Sequence, residues 1–372
     1  MKQWRNFDYQ ILGIPVALVA FSIFVLTVIS RWTTSGVTIS TPAHQALYAV
    51  IGLGLMLFLT NFDYRLLKPL AMPLFAAGLL ALLVVLALGH SAYGAQRWIN
   101  LGLLPLQPSE PTKLLLVLVL AKFFSDREAL VDRFGVILTS LLFALIPLAM
   151  VLMQPDLGTS AVFIAIWLGI VLMAGIRTSH LLALAAVALA ILPVVWTIAG
   201  HIKRFAYMRD RFTIFLNPNK DPLGSGYNVI HSQITVGAGG FLGHGFMGGT
   251  QSQLGFLRVE DKDFIFAVIA EQIGFLGVLV LFAVFVALLL RIARVSFMAG
   301  DTFGRLTASG ILAMLMFQIF VNIGMNVGLM PVTGIPLPLI SYGGSSLITT
   351  LASFGILQSI LLRHQKLVFA PG

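Results

Sequence analysis

The chain reads as an all-α polytopic membrane protein with about ten transmembrane helices. Three observations predict this. Hydrophobic residues make up 58% of the 372, charged residues only 10%, and the mean hydropathy is +0.97, whereas soluble domains carry roughly 25% charged residues. Apolar runs close to the ~20 residues that a spanning helix needs recur along the whole chain. The basic residues fall on alternate connections between those runs.

Taken in order, the runs lie at about 11–30, 44–60, 70–89, 109–125, 135–153, 158–176, 179–200, 264–290, 306–329 and 341–362. The first follows a polar start and has no small-residue cleavage site after it, so it reads as a retained anchor. One side of the predicted bundle collects Lys2, Arg5, Arg65, Lys68, Lys122, Arg127, Arg133, Arg177, Arg291, Arg294, Arg305, Arg363 and Lys366. The short connections of the other side hold only Arg31 and Arg97. The excess of Lys and Arg on cytoplasmic loops then puts both termini in the cytoplasm. It also puts the long connection between helices 7 and 8, about 201–263, outside the cell. No second soluble domain is visible, so 1–372 reads as one transmembrane domain.

The composition excludes several chemistries. There is no Cys, hence no disulfide, thiolate nucleophile or thiolate metal site. The net charge of +9 fits anionic lipid headgroups, and no nucleic-acid partner is expected. No cofactor is required by any motif, although a divalent cation is compatible with the acidic groups present.

The polar residues placed at or inside the spans carry the functional argument, because charge in a bilayer is expensive and marks sites. Glu110 and Lys113 are three residues apart and share a helical face, with Ser109 expected as the N-cap. Asp156 in Gln154-Pro-Asp-Leu-Gly-Thr159 is expected either to cap the sixth span or to extend a polar cavity. The long connection offers Arg209 and Arg211, whose guanidinium donors match phosphate oxygens. Its glycine run, 237–245, suits either an anion nest or a tight turn. Asp263 stands where that connection enters the eighth span. An N-cap would explain it, and so would a general base, which must reach the hydroxyl it deprotonates. Lys262 and the helix dipole are expected to favour its ionised form. Glu271, eight residues deeper, is an intramembrane carboxylate. The Pro- and Gly-rich stretch 331–346 predicts a bent, partly re-entrant connection lining a cavity.

These pieces together resemble the SEDS family (shape, elongation, division and sporulation). The marks are GAQRW at 94–98, QPSE at 107–110, QPDLGT at 154–159, DPLGSGY at 221–227, GTQSQ at 249–253, DFIFAVIAE at 263–271 and PLISYGGSS at 338–346. Each is weak alone, and together in this order they are specific. GTQSQLGFL at 249–257 and PVTGIPLP at 331–338 resemble the elongation branch more than the division branch. Members often read LPERHTDFIF where 257–266 here read LRVEDKDFIF, so Pro, His and Thr are missing and Glu260 and Asp261 stand beside Asp263.

The resemblance implies a bacterial inner-membrane glycosyltransferase that polymerises lipid II into peptidoglycan during cell elongation. Undecaprenyl pyrophosphate would be the leaving group and Asp263 the base. It implies substrate-binding roles for Arg97, Glu110, Lys113, Asp156, Arg209, Arg211, Glu271 and Ser341. It also implies a class B penicillin-binding protein as partner. The alternative is a flippase for lipid-linked oligosaccharide, which needs a polar groove but no essential base at the outer surface.

Overall fold

The computed structural model describes residues 7–32, 40–88, 90–92, 95–100, 105–201, 206–224, 226–246, 248–254, 256–257 and 261–363. Each of the ten apolar runs forms a helix. They are α1 (Tyr9–Trp32), α2 (Ser40–Asn61), α3 (Leu67–Leu88), α4 (Ser109–Ser125), α5 (Phe134–Leu152), α6 (Leu157–Met173), α7 (Thr178–His201), α11 (Ile265–Met298), α12 (Thr302–Asn326) and α13 (Gly344–Leu362). Seven of these contain stretches long and apolar enough to cross a membrane, namely α1, α2, α3, α5, α11, α12 and α13. The apolar part of α7, Thr178–Ile191, and all of α6 are shorter. α4 has 17 residues and carries Glu110, Lys113 and Lys122.

The connection after α7 is not a plain loop. It folds into α8 (Ala206–Leu216), α9 (Tyr227–Ala238) and the single turn α10 (Thr250–Gln253). Between α3 and α4 lies a small antiparallel sheet, β1 (His90–Ala92), β2 (Ala95–Asn100) and β3 (Pro105–Leu106), in that spatial order. Neither set stands among the ten expected spans, although α9 is amphipathic and buries Val229, Ser232 and Thr235.

The most apolar of the seven candidate spans is the least buried of them. α11 has the most apolar 18-residue window of the chain, yet only 22% of it is buried within the protein, whereas 89% of the much less apolar α13 window is buried. Lipid tails are as apolar as Leu, so an apolar face gains nothing special by facing protein. Small and polar residues gain by meeting each other, and α13 supplies Gly344, Ser345, Thr349, Thr350, Ser353, Gly355 and Ser359 to the interior. A Cβ at Gly355 would come within 2.6 Å of the Met56 carbonyl oxygen on α2.

α11 is also longer than its sequence period suggested, and it is broken at Gly274, whose φ of 65° and ψ of −173° are not helical. A break in a spanning helix leaves backbone groups without partners. The glycine run supplies them. His244 N–H donates to the Glu271 carbonyl at 3.1 Å and Gly245 N–H to that of Gln272 at 2.9 Å. Phe275 and Leu276 N–H groups donate to the carbonyls of Gly240 and Phe241 at 3.0 and 3.2 Å. The chains approach so closely that a Cβ on Gly239 would lie 2.1 Å from the Ala270 oxygen. The run is therefore neither an anion nest nor a simple turn; its backbone is spent on mending α11.

A candidate active site at the start of the broken helix

The first half of α11 begins at Ile265, with Phe264 at the N-cap and no side-chain capping bond. Asp263 therefore caps nothing, and the structural explanation for an Asp at this position lapses. Among the described residues its carboxylate has no hydrogen-bond or ion-pair partner, although the side chain is half-buried. Burial pushes its pKa up to about 6, against the pull of Arg211 and Lys262 and with Asp156 and Asp261 pushing the same way. The expected preference for the ionised form is thus reversed in direction: losing water outweighs the nearby cations. Asp261 is raised as well, chiefly by burial. Glu260, Arg258, Lys203 and Arg204 lie outside the described residues, as does Gly94 of the first motif.

The main chain around Asp263 is tightly held. Its carbonyl accepts from the side-chain amides of Asn322 and Asn326, both at 3.1 Å. Ser341 donates its hydroxyl to the Lys262 carbonyl at 2.5 Å and accepts from Leu337 N–H at 2.8 Å. Tyr342 N–H donates to the Asp261 carbonyl at 2.9 Å. The stretch 331–343 is non-helical, as its prolines and glycines predict, and its Ile335, Leu337, Leu339 and Ile340 are buried. Gly334 lies beneath the carboxylate; a Cβ there would be 3.6 Å from Asp263 Oδ2.

Two predicted residues join this setting. Arg211, on α8, donates to the Thr333 carbonyl at 2.8 Å and acts electrostatically on Asp263. Asp156 caps α6 by accepting from Thr159 N–H at 3.1 Å, and it too acts on Asp263. Of the two sequence readings of Asp156 the cap is observed, and its carboxylate lies in reach of Gln107 beside the Glu110–Lys113 helix start. Arg97 reaches across from β2 to lie 3.6 Å from Asp156 and donates to the carbonyls of Gln154 and Pro155. The α5–α6 turn is thereby pinned to the sheet.

Glu110 and Lys113 form a 2.8 Å ion pair with 3% and 1% of their surfaces exposed. They face the protein, not lipid. Ser109 is not the cap; Pro108 occupies that position without a side-chain bond, and Ser109 is the first helical residue. Gln107 links this pair to Asp156, accepting from Glu110 N–H at 3.0 Å and donating to Asp156 Oδ2 at 3.5 Å.

Three predicted residues stand differently. Glu271 is fully buried and accepts from the Gln251 and Ser252 N–H groups at 2.7 and 3.0 Å, so it stabilises the N-terminus of α10. The hydroxyl of Ser341 is occupied by the loop it fastens. Arg209, two residues from Arg211, is exposed. Asn322 and Asn326 were missed, because an Asn within an apolar helix has no chemical signature without its partners. Among the described residues no group of three or more His, Asp or Glu is arranged to hold a metal ion.

Residues 9–366 match the cell cycle protein family of FtsW, RodA and SpoVE, and the chain belongs to that family. Its character within it is RodA-like. It is 36% identical over 363 residues to the peptidoglycan glycosyltransferase MrdB of Escherichia coli (strain K12), covering 98% of this chain and 95% of that protein. It is 32% identical to the peptidoglycan glycosyltransferase RodA of Treponema pallidum (strain Nichols), over 96% and 98% of the two chains. The solved rod shape determining protein RodA of Thermus thermophilus superposes with a TM-score of 0.69 at 30% identity, covering 97% of each chain. A chain from a peptidoglycan synthase complex, solved to describe how polymerization and crosslinking are coordinated, gives a TM-score of 0.80 at 33% identity. It covers 95% of this chain and 97% of that one.

Proposed function

We propose that this protein is a peptidoglycan glycosyltransferase that polymerises lipid II during cell elongation. The observation that carries the reading is a half-buried carboxylate, Asp263, with a raised pKa and no structural duty, at the mouth of a spanning helix. An alcohol is a poor nucleophile at neutral pH. A positioned base with a pKa near 6 is still mostly ionised there and is a stronger base than an ordinary Asp. In the step proposed, the acceptor's 4-hydroxyl attacks the donor's anomeric carbon as Asp263 takes its proton. The bond from that carbon to the lipid pyrophosphate breaks, and undecaprenyl pyrophosphate leaves. Among the described residues, Arg211 and Lys262 are the cations that act on Asp263 electrostatically, and they are suited to the pyrophosphate charge. Arg97, held beside Asp156, orients the wall of the same site.

The bundle is proposed to sit in the bacterial inner membrane with ten spans, both termini cytoplasmic and the segment at about 201–263 outside. A reporter fused after Pro218 should be extracytoplasmic and one fused after Arg127 cytoplasmic. The partner is proposed to be a class B penicillin-binding protein, supported by the likeness to a chain of a synthase complex. Co-purification with that partner should raise the polymerisation rate.

The test of the function is polymerisation of purified lipid II by the purified protein with and without its partner. Glycan strands formed by the parent and absent with Asp263→Asn support the reading. Lipid II transport across vesicles at equal rates in both proteins, with no glycan formed, replaces it with the flippase.

A further inference from the structure

We infer that Asn322 is a positioning residue for glycosyl transfer, fixing the main chain of Asp263 against the 333–335 segment that receives Arg211. The inference rests on the reading of Asp263 as the base. Asn322 is fully buried on α12. Its amide nitrogen donates to two carbonyls from different parts of the chain, Asp263 at 3.1 Å and Ile335 at 2.8 Å. Turning the amide over would set its oxygen against both acceptors, so the two bonds fix its orientation. The Ile335 segment includes Thr333, which receives Arg211, and Gly334, which lies under the Asp263 carboxylate. One side chain thereby sets the spacing between the base and the surface it faces.

Asn326, one turn on, repeats the pattern. It gives the Asp263 carbonyl a second donor at 3.1 Å, and its Oδ1 accepts from Ala267 N–H and the Ser232 hydroxyl, both at 3.3 Å. An apolar side chain of similar shape would fill the same space, but it would take a donor from the Asp263 and Ile335 carbonyls. Asn322 even leaves its Oδ1 buried without a partner. What the pair uniquely supplies is donors aimed at the carbonyl of residue 263.

Asn322 is buried behind that carbonyl, so it acts through Asp263. Its loss should therefore lower kcat and leave the KM for lipid II near the parental value, since a displacement of about 1 Å at a reacting group costs ~100-fold in rate. The pH profile separates positioning from general damage. Asp263 faces Arg211 from α8, Asp156 from the start of α6, and Asp261 and Lys262 from its own loop. A carboxylate released from its buried place regains water, and its titration moves down toward that of an ordinary Asp.

Initial rates of lipid II polymerisation by the full chain with its transpeptidase partner, from pH 4.5 to 8, test this. The variants are Asn322→Leu, Asn326→Asp and Asp263→Asn. Asn326→Asp retains the acceptor for Ala267 N–H while removing the amide donor. The expected result for Asn322→Leu is a kcat down ~10–100-fold. Its KM should stay within about twofold, and its acid limb should move down by about half a unit or more. Asn326→Asp should lower kcat by less, with KM again within about twofold, while its new carboxylate, like Asp156 and Asp261, opposes any fall of the acid limb.

A folded Asn322→Leu with parental kcat and acid limb overturns the inference, and so does a kcat loss with an unmoved acid limb. If Asn322→Leu neither melts cooperatively nor binds the partner, Asn326→Asp decides by kcat against KM: a lower kcat at a parental KM supports the inference and a parental kcat overturns it. Asp263→Asn keeps the two failures apart. If it is active, the base reading falls; if it is dead while Asn322→Leu is parental, positioning alone falls.

Discussion

The two ends of the bundle treat charge in opposite ways. At the end carrying the α2–α3, α4–α5, α6–α7 and α11–α12 turns, ion pairs stand in the open. Lys68 and Asp126 meet at 2.8 Å with side chains 35% and 38% exposed, and Arg177 meets Asp132 at 3.2 Å, both more than half exposed. At the end carrying the sheet, α8–α10 and the 331–343 stretch, Arg209 and Asp210 of α8 stay exposed, but the ion-paired charges are drawn inside. Glu110 and Lys113 are almost wholly buried, and Asp156 is 3% exposed. Distance alone would not separate them, because the Lys68 and Lys113 pairs are equally short. Burial does, since solvent and salt screen the first kind and the second must satisfy itself.

The largest effect should come from Asp263, whose carboxylate has no hydrogen-bond or ion-pair partner among the described residues. Asp263→Asn should lower polymerisation by at least ~100-fold, the lower end of what general-base catalysis contributes. The parental rate should fall about tenfold per pH unit below about 6, where Asp263 takes up its proton. Stability should run the other way. A carboxylate whose folded pKa is raised binds protons more tightly in the folded state, so its contribution is lost as pH rises through about 6. The Asn variant should then melt no lower than the parent at pH 7.5. A lower melting temperature there would mean that Asp263 makes a stabilising contact after all.

Next in size is the buried pair. Lys113→Ala leaves Glu110 as an uncompensated buried charge, a loss of about 3–5 kcal/mol. The double variant Glu110→Gln, Lys113→Met keeps the volume and removes both charges, so thermal unfolding in detergent should recover most of that loss. Recovery of stability without recovery of activity assigns Lys113 to the substrate's phosphates. Recovery of both makes the pair a structural element.

The sequence-level reading located these residues more easily than it assigned their work. All ten apolar helices were legible because each repeats one simple feature, an apolar run near spanning length, although only seven reach that length in full. Glu110, Lys113, Asp156 and Asp263 stood out because charge inside such runs is rare. What stayed hidden depends on partners far along the chain. Glu271 looked like an intramembrane site and instead anchors α10, twenty residues earlier. The glycine run looked like an anion nest and instead repairs the break at Gly274, which nothing in the local sequence announces. Asn322 and Asn326 are unremarkable until α12 sets them against Asp263 and Ile335. Sequence period reports burial, and the use of a buried polar group is settled only by what it faces.

The smallest effect should come from the exposed end. Lys68→Ala removes the 2.8 Å contact to Asp126, but Lys122 remains 3.6 Å from the same carboxylate. Both side chains of the lost pair keep about a third of their surface in solvent, so water replaces much of what the ammonium supplied. Exposed pairs contribute about 0–1 kcal/mol, and less as salt rises. Unfolding of Lys68→Ala should therefore differ from the parent by under ~1 kcal/mol at 0.1 M salt and by still less at 1 M, with polymerisation unchanged. The contrast with Lys113→Ala is then a direct measure of what burial does to the same pair of charges at the same 2.8 Å. If Lys68→Ala proves as damaging as Lys113→Ala, the division of the bundle into an open and a buried end is wrong.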